Sequence, residues 1–110
     1  MTTPSDPDVF LALADPHRRE ILRVLTGQPA SINAIADQFT ISRPAISKHI
    51  KLLEASGFIR ISPQGRERIC HLDDSGFDQV RAWMDYFEAY WHTQFMQLDN
   101  YLKSHPDESV

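Results

Sequence analysis

The chain has 110 residues, a formal net charge of −4 at pH 7, 42% hydrophobic residues and one cysteine, Cys70. This length and composition suit one globular domain with a core. A single cysteine excludes a disulfide within the chain and any metal cluster built from several cysteines. No segment approaches the ~20 apolar residues of a membrane span, and the N-terminal sequence MTTPSDPD does not resemble a secretory signal. We therefore expect a cytoplasmic protein without a membrane partner.

The charge is unevenly distributed along the chain. Residues 41–70 contain six lysines and arginines against two acidic residues, which gives this segment a charge of +4. The rest of the chain carries five basic and thirteen acidic residues, a charge of −8. Because a local basic patch is sufficient to bind phosphates, the negative total does not exclude a nucleic-acid partner.

The first forty residues predict three short helices after an unpatterned start. Residues 1–7 show no periodicity, and we expect them to be disordered. A first helix is interrupted at Asp15-Pro16, a dipeptide that suits the N-cap and the first residue of a second helix. A third helix is predicted over residues 32–39, with Ser31 as its N-cap.

The stretch Ile41–Gly57, ISRPAISKHIKLLEASG, predicts a helix with two different faces. Ser42 can cap its start, and Pro44 suits its first turn. The apolar stripe consists of Ile46, Ile50 and Leu53, and the cationic and hydroxyl-bearing face consists of Arg43, Ser47, Lys48 and Lys51. Such a helix can lie in a DNA major groove or be an ordinary solvated surface helix, and this stretch alone leaves both interpretations open.

After this helix the hydrophobic period changes to that of strands. Residues 58–62 and 66–72 alternate, and the intervening Pro63-Gln64-Gly65 predicts a turn, hence a β-hairpin. A short helix followed closely by a longer one predicts a helix-turn-helix, and a hairpin after it predicts a winged helix. The polar residues at the tip of this wing are Gln64, Arg66 and Arg68.

The remaining residues predict one long amphipathic helix rich in aromatic side chains. A core of this size cannot cover so much apolar surface, so we predict a homodimer formed by this helix together with Val9–Ala14. The alternative is that the helix folds back on its own domain. The predicted interface residues are Phe10, Leu13, Val80, Trp83, Met84, Phe87, Trp91, Phe95 and Leu98.

Together these elements predict a mainly α fold with a small β-hairpin. It is a winged helix-turn-helix of about five helices and one wing, spanning residues 8–103 with dimerisation helices at both ends. Residues 104–110 are expected to form a flexible tail.

Four segments give the chain a family resemblance: ALADPHRREILRVL, IADQFTISRPAISKHIKLLEASGFI, GRERICHL and VRAWMDYFEAYW. Over roughly residues 9–103 the chain resembles the ArsR family of bacterial winged-helix repressors. The resemblance implies a symmetric dimer, a five-helix fold with one wing, and operator binding that blocks transcription.

The effector sites of that family do not match this sequence. Many metal-sensing members carry Cys-x-Cys where residues 31–33 here read Ser-Ile-Asn. Others place Asp-x-His and a second histidine eleven residues on in the last helix, whereas Tyr90 precedes His92 here and no histidine follows at that spacing. Redox-sensing members use a cysteine pair, but Cys70 stands alone, and we expect a buried, inert thiol. We therefore predict no metal site, no cofactor and no recognised effector site.

The predicted DNA contacts divide by chemistry. Arg43 is the best candidate for a guanine, because its guanidinium matches O6 and N7. Lys48 and Lys51 should neutralise phosphates, and Arg66 and Arg68 should touch the backbone or the minor groove. The complete set is Ser42, Arg43, Pro44, Ala45, Ser47, Lys48, His49, Lys51, Gln64, Arg66 and Arg68.

Several alternatives stay open at this point. His49 could contact the groove or pack locally, and the basic residues among 17–19 could reach phosphates or form a solvated helix face. Trp83, Phe87 and Trp91 could line a ligand pocket, although dimer contact is the simpler interpretation. There is no glycine-rich phosphate loop and no nucleophile motif, so we predict that the protein is not an enzyme. The alternative to DNA binding is a winged-helix module that serves protein–protein contact.

Overall fold

A computed structural model describes residues 8–105 of the chain. Within that range five helices accompany a small three-stranded antiparallel sheet, which confirms the predicted fold class. The elements are α1 (Val9–Leu13), α2 (Pro16–Leu25), β1 (Ala30–Ser31), α3 (Ile32–Ala36), α4 (Arg43–Ala55), β2 (Ile59–Gln64), β3 (Glu67–Leu72) and α5 (Asp74–Ser104). The predicted disorder of residues 1–7, and most of the predicted tail, lie outside the described residues.

The helices begin where the sequence supplies a capping side chain. Asp15, Ser31 and Ser42 accept hydrogen bonds from backbone N–H groups two or three residues further on, at 2.7, 3.0 and 3.3 Å respectively. Pro16 and Pro44 occupy the first turns of α2 and α4, where a missing N–H costs nothing. The three predicted N-caps are therefore confirmed.

The core lies between the helices and one face of the sheet. The predicted apolar stripe of α4, formed by Ile46, Ile50 and Leu53, is fully buried, so this prediction is also confirmed. The other core residues are Val9, Ala12, Ile21, Leu22, Leu25, Ile35, Ala36, Phe58, Ile59 and Cys70. Burying each large side chain contributes roughly 1.5–3 kcal/mol, which holds α4 with one face inward and leaves its opposite face outside.

The wing is the hairpin of β2 and β3, and its turn differs from the predicted one. Gln64 pairs with Glu67, so the turn consists of Gly65 and Arg66. Pro63 belongs to β2 itself, which lies at the edge of the sheet, where a residue without an N–H is tolerated. Gly65 adopts φ +64°, which explains why the turn forms around it.

A third strand, β1, was not predicted. Ala30 pairs with Cys70 and Ser31 with Ile69, so β3 lies in the middle of the sheet. Two residues are too few to show an alternating pattern, and only the pairing with β3 identifies them as a strand.

The start of α5 packs closely against the corner between α4 and β2. Gly57 adopts φ +83°, and a Cβ placed there would lie 2.7 Å from the Ser75 hydroxyl oxygen. A Cβ on Gly76 would lie 2.8 Å from a ring carbon of Phe58. The Phe58 and Phe77 rings meet edge to face at 4.9 Å between centroids. Two glycines therefore allow α5 to begin against the core.

The helix α5 has 31 residues, which confirms the prediction of one long helix after the wing. The chain divides into two compact units, of which the first ends at Val80 and the second begins at Arg81. Every described residue of the second unit is exposed. Among the described residues, none of the helices combines the length and the apolar character that a bilayer crossing requires.

Candidate nucleic-acid interface

The outer face of α4 presents most of the predicted DNA contacts, because the opposite face is buried. The exposed residues are Ser42, Arg43, Pro44, Lys48 and Lys51, and the half-buried ones are Ala45, Ser47 and His49. Gln64, Arg66 and Arg68 are exposed in the wing.

A groove of about 350 Å³ lies between α3, α4 and the wing. Ser47 and Lys51 line it from α4, and Arg66 and Arg68 line it from the wing. We call the space that these four residues line the basic groove. Its lining also includes Ser31, Ile32, Asn33, Ile50, Ile61 and the acidic Glu67. Helix α4 and the wing, which were predicted separately to bind DNA, therefore face one space. Three cationic side chains and one carboxylate line that space. Lys48 and Gln64 do not line it.

Arg43 is attached to α3 by two hydrogen bonds. Its Nη1 donates to Asn33 Oδ1 at 2.6 Å, and its Nη2 donates to Asp37 Oδ1 at 2.7 Å. Sequence reasoning treated Arg43 only as a base-contacting residue and missed both partners. The available signal was the four-residue spacing of Asn33 and Asp37, which places them on one helix face. The contact fixes the start of α4 relative to α3.

His49 is half-buried against α2 instead of lying on the open face of α4. Its ring stacks on His17 at 5.7 Å between centroids, and its Nδ1 lies 3.2 Å from Arg18 Nη1. Because a guanidinium can only donate, Nδ1 is the acceptor, and the proton of the neutral ring lies on Nε2. Burial lowers the pKa of His49, the Asp15 carboxylate acts to raise it, and Arg18 and His17 lower it further.

Two arginines of α2, Arg18 and Arg19, donate hydrogen bonds to the end of α1. Arg18 donates from Nε to Ala12 O at 2.7 Å and from Nη2 to Leu11 O at 3.2 Å. Arg19 Nη1 donates to Leu13 O at 2.7 Å. The interpretation as a solvated helix face is therefore wrong for Arg18, which is half-buried, because its guanidinium donates to backbone carbonyls at the end of α1.

Asp15, His17 and His49 form a group whose potential metal-binding atoms lie within 4.8 Å of one another. The sequence did not indicate it, since His49 is distant from the other two along the chain. Burial acts to raise the pKa of Asp15, but the hydrogen bonds from the backbone N–H groups of Arg18 and His17, and the charges of His49 and Arg18, lower it overall.

A metal ion on His49 would displace Arg18. Binding at Nδ1 would take the lone pair that Arg18 uses. Binding at Nε2 would move the ring proton to Nδ1 and set it against the guanidinium. The described arrangement is therefore that of a hydrogen-bonded cluster.

The predicted dimer residues fall into two groups. Phe10, Trp83, Met84, Phe87, Trp91, Phe95 and Leu98 are exposed, whereas Leu13 and Val80 are half-buried and pack against the core. Cys70 is fully buried, which confirms its predicted burial, and burial raises the pKa of its thiol to about 11.

Comparison with known proteins agrees with this geometry. A helix-turn-helix domain family model matches residues 13–61. The HTH-type transcriptional regulator Rv2034 of Mycobacterium tuberculosis is 34% identical over 99 residues, 89% of this chain and 92% of the relative. The transcriptional repressor SdpR of Bacillus subtilis is 34% identical over 77 residues, 70% of this chain and 86% of the relative.

A solved structure points to the same family. The crystal structure of an ArsR family transcriptional regulator, RHA00566, shares 40% identity with this chain and superposes with a TM-score of 0.71. The match covers 77% of this chain and 93% of that one. With the matching sequence segments and the winged fold, these similarities show that the chain belongs to the ArsR family of helix-turn-helix transcriptional regulators.

Proposed function

We propose that this regulator is a dimeric repressor that binds an inverted-repeat operator through α4 and the wing. The observation that carries this proposal is the basic groove, where Ser47 and Lys51 of α4 face the same space as Arg66 and Arg68 of the wing. A DNA backbone that follows α4 in the major groove would pass beside these cations, which would neutralise its phosphates.

Base contacts come from the outer face of α4 in this proposal. Asn33 and Asp37 engage two N–H groups of Arg43 and thereby hold its guanidinium in place. A guanidinium has five N–H groups, so others are left to contact a guanine edge. Lys48, exposed on the same helix, contacts phosphate. His49 is not one of the proposed DNA contacts, because its ring packs against α2.

The exposed apolar side chains of α5 support dimerisation. A stripe of this size on a soluble chain usually marks an interface. Two copies would place their recognition helices in successive major grooves, about 34–36 Å apart. Occupying a promoter in this way excludes polymerase, which agrees with the name of the Bacillus subtilis relative as a transcriptional repressor. This mechanism requires DNA binding and no catalytic step. We place the protein in the cytoplasm, where the chromosome lies.

The test is the salt dependence of operator binding. The operator would be identified by footprinting on the DNA upstream of the gene, and the dissociation constant measured at several salt concentrations. Replacing two cations of the basic groove, Lys51→Glu with Arg66→Glu, should weaken binding strongly. It should also make the slope of log K against log salt shallower by roughly 0.9 per lost phosphate contact.

The matched control is Arg23→Glu, which reverses an exposed charge on α2 outside the groove. It should change the slope of log K against log salt by less than the roughly 0.9 that corresponds to one phosphate contact. If the groove variant keeps wild-type affinity and slope, the DNA-binding proposal is wrong, and a module for protein–protein contact becomes the better interpretation.

A further inference from the structure

One side chain connects three helices of the first unit. Arg18 belongs to α2, donates to the carbonyls of Ala12 and Leu11 at the end of α1, and donates to the imidazole of His49 in α4. Its three donor nitrogens are thus each used on a partner from another helix. The same helix α4 carries the cations of the proposed DNA interface.

We propose that Arg18 and His49 are positioning residues, which set the orientation of α4 for DNA recognition without touching DNA. This inference rests on the proposed function. The link between them holds the middle of α4 to the corner formed by α1 and α2.

The location of His49 on α4 makes this link relevant to binding. His49 lies next to Lys48 and two residues before Lys51, on the side of the helix that faces α2. A helix that tilts or rotates about this point moves its basic residues relative to the wing. Since DNA contacts depend on placement to within about an ångström, losing the link should reduce affinity although no contact with DNA is removed.

The charge state of His49 provides a signature of this role. The groups that face it are Asp15, which caps α2, and His17 and Arg18 of α2. Helix α1 contributes only backbone carbonyl groups, which bind Arg18. Protonated His49 has two N–H donors and no lone pair, so it cannot accept from Arg18 and is repelled by it. Acidification should therefore weaken DNA binding. A histidine that contacts phosphate predicts the opposite, since its added positive charge would strengthen binding.

The experiment uses the full chain and a fluorescent operator duplex selected from a random-sequence library. For the wild type, affinity should fall several-fold between about pH 7.5 and the lowest pH at which the chain stays folded, and the lowered pKa of His49 places this loss at lower pH than an ordinary histidine would. His49→Gln retains a carbonyl acceptor for Arg18 and should bind within about 3-fold of the wild type at pH 7.5, with a weaker pH dependence. His49→Leu should bind about 10-fold more weakly, with an unchanged salt slope.

Three results would overturn the inference. Wild-type affinity in His49→Leu would show that the link does not matter. A salt slope that becomes shallower by ~0.9 in both His49 variants would show direct phosphate contact. Stoichiometric zinc that His49→Gln abolishes would assign the cluster to a metal. Arg18→Leu, His49→Leu and the corresponding double variant form a double-mutant cycle. If the two residues act through one link, their losses of DNA affinity should not add. If the wild type bound no duplex in a salt-dependent manner, the proposed function itself would fail. The three results above are different, because they overturn only the positioning role of Arg18 and His49.

Discussion

The two units of this protein contain similar side chains but cover them differently. Among its described residues, the first unit, which ends at Val80, buries thirteen hydrophobic residues in one core. The second, which begins at Arg81, exposes its tryptophans, tyrosines, methionines and leucines along one helix. The difference teaches that apolar content alone does not make a core, because a lone helix has no other element to cover its stripe.

This contrast assigns different roles to the two regions. The core of the first unit is stabilised by contacts within one chain, so the contribution of its buried residues should not depend on protein concentration. The apolar stripe of the second unit is stabilised only when another surface covers it, and in a homodimer that contribution depends on concentration.

The largest expected effect compares one substitution in both units. Phe58→Ala removes a fully buried ring that packs edge to face on Phe77, and it should lower the free energy of unfolding by about 3–5 kcal/mol. Phe95→Ala, at an exposed ring, should have little effect in dilute protein and a larger effect in concentrated protein. Thermal unfolding followed by circular dichroism at two concentrations measures both. Equal losses at every concentration would contradict the proposed difference between the units.

The second prediction tests whether the stripe of α5 is a dimer surface. Met84 lies in the stripe and Met96 lies on the far side of the helix, and both are exposed. Met84→Glu should produce a monomer and weaken operator binding by about 100-fold, because a carboxylate would be buried at the interface. Met96→Glu is the matched control and should remain dimeric.

Sedimentation measures the oligomeric state of both methionine variants. The emission of Trp83 and Trp91, which both belong to α5, should shift to the red only in Met84→Glu. A dimer that survives Met84→Glu would show that another surface joins the two chains.

The smallest expected effect concerns the surface of the first unit. Arg43→Ala removes two hydrogen bonds to α3, but the pair with Asp37 is well exposed. We expect a loss of at most about 1 kcal/mol in chemical denaturation, because solvent screens such pairs. Arg23→Ala, which breaks the exposed pair with Glu20, is the control and should cost less. A loss as large as that of Phe58→Ala would place this contact among the core determinants.

Much of the fold follows from local signals in the sequence. The caps at Asp15, Ser31 and Ser42, the buried stripe of α4 and the hairpin were all predicted, because each depends on residues that are neighbours along the chain. The turn of the wing was misplaced, since Pro63 normally marks a turn but is tolerated in an edge strand. The strand β1 was missed because it exists only through its pairing with β3.

The candidate site also has a part that the sequence predicts and a part that it does not. The local charge predicts the basic segment, but it does not predict how the side chains of that segment are arranged. Only packing brings Lys51 and Arg66 to one groove, attaches Arg43 to Asn33 and Asp37, and turns His49 toward Arg18.

The sequence by itself determined where the helices and the wing form, which faces are apolar, and that the positive charge is concentrated around α4 and the wing. Periodicity, capping and local charge are properties of adjacent residues, so they can be read directly. The tertiary structure decided which polar side chains point outward and which hold helices together. That outcome depends on distances between residues far apart along the chain, as between Arg18 and His49, and periodicity carries no information about those distances.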